Sequence, residues 1–156
     1  MDLQTEQAVW RRVKGPGAAA AEEALLPERL EALILQEQAD AAVLRTLARR
    51  MGGQGSAVLS RIASGSEARA RELTTLHYLL SGRRLRLKAP PAVIKGPLSA
   101  NLRQTCLRME QTAKAYGSLE KEFSDRAELF SRFARQAREQ SRSLMTQLQK
   151  TISNPQ

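Results

Sequence analysis

One cysteine, one histidine and few aromatic residues are the scarcities that bound this chain of 156 residues. With Cys106 alone, no internal disulfide and no cysteine zinc site can form. With His77 alone, a Ser/His/Asp or Cys/His nucleophilic arrangement has no support. Aromatics make up 4% of the residues, and no sustained β-branched or aromatic run reads as a strand. The opening residues Met1-Asp2-Leu3-Gln4-Thr5-Glu6 lack the hydrophobic region of a signal peptide, and no apolar stretch approaches the length of a membrane span. A cytoplasmic location and no membrane partner are therefore expected.

What is abundant favours helix. About 42% of residues are apolar, and Ala, Leu, Arg, Gln and Glu dominate, which suits an all-α domain with a real core. Net charge is +9 and unevenly spread. Arg83, Arg84, Arg86, Lys88, Lys95, Arg103, Arg108 and Lys114 face a single acid, Glu110, in their stretch of chain. A bias of that size attracts nucleic acid, anionic lipid or an acidic partner, or else marks a solvated loop and helix face. The basic patch proper is Arg83, Arg84, Arg86, Lys88 and Lys95. Arg126, Arg132, Arg135, Arg138 and Arg142 recur further on, interrupted by Asp125, Glu128 and Glu139.

Periodicity divides the chain. A short amphipathic helix is expected over residues 1–14, with Trp10 as its anchor, followed by a Gly/Pro/Ala linker over 15–27. Pro27 fits the first turn of a long helix that runs to Met51. Gly52-Gly53-Gln54-Gly55 reads as a tight turn with Ser56 as the next N-cap, and Gly82 as the stop of the second helix. Residues 83–98 form a Pro-containing crossover without helical periodicity. Ser99 is expected to cap a third helix, and Asp125 with Glu128 to form a capping box on a fourth. The sum is a four-helix bundle over 28–152, with hairpins 28–82 and 99–152. The hairpins resemble each other weakly, as an internal duplication would.

Polar residues interrupt the apolar seams at matched depths. The first helix reads Leu30, Leu33, Glu37, Asp40, Leu44, Leu47, Met51, and the second Leu59, Ile62, Ser66, Arg69, Leu73, Leu76, Leu80. The third reads Leu102, Cys106, Met109, Ala113, Tyr116, Glu120, Phe123, and the fourth Phe130, Phe133, Ala137, Gln140, Leu144, Leu148, Thr151. Polar groups placed mid-seam must hold a ligand or pair with one another, because burying them alone is costly.

Several of these residues carry a family resemblance: Glu37-x-x-Asp40-x-x-Val43-Leu44, Leu59-x-x-Ile62-Ala63, Leu80-Ser81-Gly82-Arg83, Met109-Glu110-x-x-Ala113-x-x-Tyr116 and Leu129-Phe130-x-x-Phe133-Ala134. Over residues 28–150 the chain resembles the rubrerythrin-type, ferritin-like proteins. The resemblance implies an antiparallel bundle of two helical hairpins and a di-iron centre built from two lone glutamates and two Glu-x-x-His pairs. Glu37 and Glu110 match the lone glutamates. The paired positions fall on Ser66/Arg69 and Ala137/Gln140, and no Glu-x-x-His occurs anywhere in the chain.

Self-pairing is the expectation these residues support. Measured from the turn at Gly53-Gln54, Glu37 and Arg69 are nearly level, so the guanidinium would take the metal's place. A polar layer of Glu37, Asp40, Arg69, Glu110 and Gln140 follows, with no cofactor. A hard ion such as Mg²⁺ or Ca²⁺ remains the metal that lone carboxylates would accept. His77 is expected to pack rather than ligate, Cys106 to be buried, and Tyr116 to be a core residue with a bonded hydroxyl. The functional expectation is a non-catalytic ferritin-like module, and the resemblance makes a homodimer reasonable. Two rivals stand: a rubrerythrin-like oxidoreductase with a reduced iron or manganese site, and a basic module that binds nucleic acid or an acidic partner.

Overall fold

The computed structural model describes the backbone of residues 16–153 and the side chains of residues 25–153. The expected helix over residues 1–14, with Trp10, lies outside them. Four long helices pack together: α1 (Pro16–Met51), α2 (Gly53–Ser81), α3 (Leu98–Glu122) and α4 (Ala127–Ser153). No strand occurs among the described residues.

The first helix begins earlier than its periodicity indicates. The stretch expected as a linker is already helical, and Pro27 lies inside α1 instead of in its first turn. Pro16 opens the helix, where a missing N–H costs nothing, and the alanines that follow have the highest helix propensity. Pro27 then forfeits one bond of the ladder.

Caps also differ from expectation. Gly52 and Gly53 have positive φ, 69° and 60°, a pair that reverses the chain at once. The helix after them therefore starts at Gly53, and Ser56 lies within its first turn, its N–H donating to the Gly52 carbonyl at 3.2 Å. Pro97, not Ser99, holds the N-cap position of α3, and Asn101 Nδ2 donates to the Pro97 carbonyl at 2.8 Å. In place of the expected Asp125/Glu128 capping box, a 3-10 turn (Ser124–Arg126) precedes α4, and Asp125 pairs with Arg126 at 3.0 Å. Gly82, at φ 71°, closes α2 as a left-handed C-cap.

Cross-helix contacts give the direction of each element. Arg29 pairs with Glu122, and Arg108 with Asp40, so α3 runs antiparallel to α1. Arg132 pairs with Glu72 and the Gln140 amide lies against Gly65, so α4 runs antiparallel to α2. The order is thus up, down, down, up, and the connection from α2 to α3 must return along the whole bundle. Residues 83–97 do this as extended chain, whose reach of about 50 Å exceeds the length of the 25-residue α3, about 38 Å.

The core is split in two. Near the Gly52 turn, Leu44, Leu47, Leu59, Ile62, Leu102, Cys106, Met109, Leu144 and Leu148 pack together. Towards the other end, Leu26, Leu30, Ile34, Leu73, Tyr116, Leu119, Phe130 and Phe133 form a second cluster. Glu37, Asp40, Ser66 and Arg69 are buried at positions between these clusters along α1 and α2. The seams shift slightly from their expected residues. His77 is buried where Leu76 and Leu80 are half-buried, and Ser141 and Gln147 are buried where Gln140 and Thr151 are half-buried.

Candidate functional site

Four helices each supply part of the central layer. Glu37 and Asp40 lie one turn apart on α1, and Arg69 reaches Glu37 from α2 with Ser66 one turn earlier. Side chains of Glu37 and Arg69 are each 1% exposed. The guanidinium grips the carboxylate with two donors, Nε to Oε2 and Nη2 to Oε1, the latter at 3.1 Å. Nη2 also donates to Ser66 Oγ at 3.3 Å. From α3, the Tyr116 hydroxyl donates to Glu37 Oε2 at 2.8 Å. Phe133 of α4 lies edge-on to the Tyr116 ring, with centroids 5.4 Å apart and planes at 66°.

Asp40 has its own partners. Its Oδ1 accepts from Arg108 Nε at 2.9 Å and from Gln36 Nε2 at 3.1 Å. Arg108 is one-third exposed, so this pair reaches the surface while the Glu37–Arg69 pair does not. Arg108 and Gln36 help line a groove of about 340 Å³ between α1 and α3. Two carboxyls thus meet two guanidiniums, a balance that the self-pairing expectation assigned to Arg69 alone.

Two of the residues expected in the layer, Glu110 and Gln140, do not hydrogen-bond Glu37, Asp40 or Arg69. Glu110 is exposed, because Met109 takes the inward position on that turn of α3. Gln140 is half-buried and packs its amide against Gly65, where any side chain would collide with it. Asp40 Oδ2, Arg69 Nη1 and Gln140 Oε1 are buried without a hydrogen-bond partner among the described residues. The five residues of the basic patch are all exposed.

The titration of the layer follows from burial. Burial raises Glu37 above the ordinary carboxylate range, against the opposing pull of Arg69 and Tyr116. Asp40 is raised for the same reason, with Arg108 opposing. Burial works against the charge on Arg69, but Glu37 outweighs it and the guanidinium is held protonated more firmly than usual. Burial also raises the Tyr116 phenol, reinforced by the negative charge of Glu37, so Tyr116 stays a donor. Cys106 is buried, and burial together with the Glu110 charge pushes its thiol up to about 11, which suits packing rather than nucleophilic work. His77 is buried against Glu31, 3.0 Å from Nε2 to Oε1, with Ser81 Oγ at its other nitrogen.

A raised carboxyl binds its proton more tightly in the folded state than in the unfolded chain. Stability is then fullest below the unfolded value, about 4, and declines as pH rises through the folded one. Melting temperatures measured from about pH 4 to 8 should therefore fall more steeply with rising pH for the wild type than for Asp40→Asn. Equal slopes would place Asp40 in contact with water.

The donor set does not fit a di-iron centre. Both oxygens of Glu37 are engaged by Arg69, Glu110 faces outward, and the positions of the second ligand pair hold Ala137 and Gln140. Among the described residues no group of three or more His, Cys, Asp or Glu side chains is arranged to hold a metal ion. No described helix is long and apolar enough to cross a membrane. No family model, curated protein or solved structure matches this chain.

Proposed function

We propose that this chain is a ferritin-like bundle serving as a non-catalytic scaffold or binding module, its central layer closed by an arginine instead of a di-iron cluster. The observation that carries this reading is the two-pronged grip of Arg69 on Glu37 at the level where the resemblance would put a metal. The up-down-down-up order and the full-length crossover support the ferritin-like part. A substrate would find little to react with: the carboxylates are neutralised, the thiol is buried and the phenol is engaged.

Elemental analysis tests the proposal. Protein from iron- and manganese-supplemented growth, after dialysis, should carry far less than one metal ion per chain. Stoichiometric iron or manganese that disappears on Glu37→Ala would overturn the proposal in favour of the rubrerythrin-like oxidoreductase. Stoichiometric Mg²⁺ or Ca²⁺ lost in the same way would overturn it in favour of a hard-ion site.

A further inference from the structure

The crossover between α2 and α3 carries a dense run of like charge, and it is held in place. Leu85 and Leu87 pack against one apolar cluster and Ile94 against the other. The side-chain amide of Gln38 brackets the backbone between them, donating to the Leu87 carbonyl at 3.2 Å and accepting from the Ala89 N–H at 3.0 Å. Extended chain sends successive side chains to opposite sides. With Leu85, Leu87 and Ala89 turned inward, Arg86 and Lys88 are exposed, about 7 Å apart along the chain. Arg83 and Arg84 precede them and Lys95 follows, all exposed.

None of these five cations has a carboxylate partner among the described residues. The ion pairs draw instead on Arg29, Arg45, Arg69, Arg108, Arg126 and Arg132. No acidic residue occurs anywhere from Leu73 to Met109. A merely solvated face has no need of such purity, and α4 shows the contrast, with Glu128 and Glu139 set among its arginines. Gln38 ties the backbone at Leu87 and Ala89, which keeps Arg86 and Lys88 on the outer face of the segment.

We infer that this crossover binds the phosphodiester backbone of a nucleic acid without regard to base sequence. The cations form a row along an extended segment, which fits a linear polyanion. Three of the five are arginines, whose forked donors match phosphate oxygens. The row belongs to a surface segment, with no helix of its own to enter a groove, so the contacts go to phosphates and not to base edges. This partner deepens the binding-module reading, and metal content separates the two failures. Metal-loaded protein whose crossover still binds would sink only the scaffold proposal.

The test uses the full chain, a fluorescein-labelled oligothymidylate and a duplex of equal length, followed by anisotropy. Contacts from the four clustered cations, Arg83, Arg84, Arg86 and Lys88, predict a slope of log affinity on log salt of about −2.8 for the single strand and about −3.6 for the duplex. Between about 50 and 200 mM salt, binding should weaken about 50- to 150-fold. Arg84→Gln, Arg86→Gln and Lys88→Gln should each reduce the slope by roughly 0.7 to 0.9, and together remove most of the binding. Gln38→Ala frees the segment at unchanged charge, so it should weaken binding while leaving the slope intact. Arg135→Gln with Arg138→Gln on α4 should change neither, and all variants should keep the wild-type circular dichroism. Absence of oligonucleotide binding at low salt would overturn the proposal. So would loss on the α4 substitutions instead, or tighter binding to poly-glutamate or to phosphatidylserine vesicles than to either oligonucleotide.

Discussion

Arg69→Ala should destabilise the fold by about 3–5 kcal/mol, because it leaves Glu37 buried with its charge unbalanced. In a domain of this size that corresponds to a fall in melting temperature on the order of 10 °C. The loss belongs to breaking the pair, not to lacking it. The double variant Glu37→Gln/Arg69→Met keeps an acceptor for the Tyr116 hydroxyl and removes both charges. It should recover most of the lost stability, since apolar or neutral replacements of buried ion pairs are often neutral or stabilising. Thermal denaturation of the wild type and the two variants checks this. A single variant that melts with the wild type would mean that Glu37 simply takes up a proton or reaches water.

Phe133→Ala comes next, with an expected loss of about 3–5 kcal/mol. Phe133 is 1% exposed, belongs to the apolar cluster with Tyr116 and Phe130, and carries the Arg132 guanidinium 5.4 Å from its ring centre. Truncation leaves a void beside the Tyr116 ring, and with it the support that holds the phenol against Glu37. Phe133→Leu keeps most of the volume and should cost less than about 2 kcal/mol. Denaturant unfolding would separate the two. Equal small losses would show that the cluster closes around the gap.

The ion pair and the outward glutamate mark how far residues alone could lead. Counting from the Gly53 turn sets Glu37 level with Arg69, and the two are bonded in the structure. The match to the second lone glutamate set Glu110 in the layer, yet it is exposed. Third-helix spacing offers two neighbouring inward candidates, Met109 and Glu110, and the rotation of the helix about its axis chooses the apolar one. Arg108 was legible only as one charge in a basic stretch, because its partner Asp40 lies on another helix far away in sequence. Gln38 carried no signal at all. Its amide matters only because an extended segment passes beside it.

By itself the sequence determined the helical character of the chain, the glycine reversal at Gly52-Gly53, the stop at Gly82, and the scarcity of imidazole and thiol ligands. These follow from local propensity, backbone freedom and composition, which act within a few residues. Only the tertiary structure decided that Asp40 belongs to Arg108, that Tyr116 completes the Glu37 site, and that the basic crossover is pinned against α1. Each depends on how helices turn about their axes and pack once apolar faces are buried, and a small rotation there exchanges one neighbouring side chain for the next.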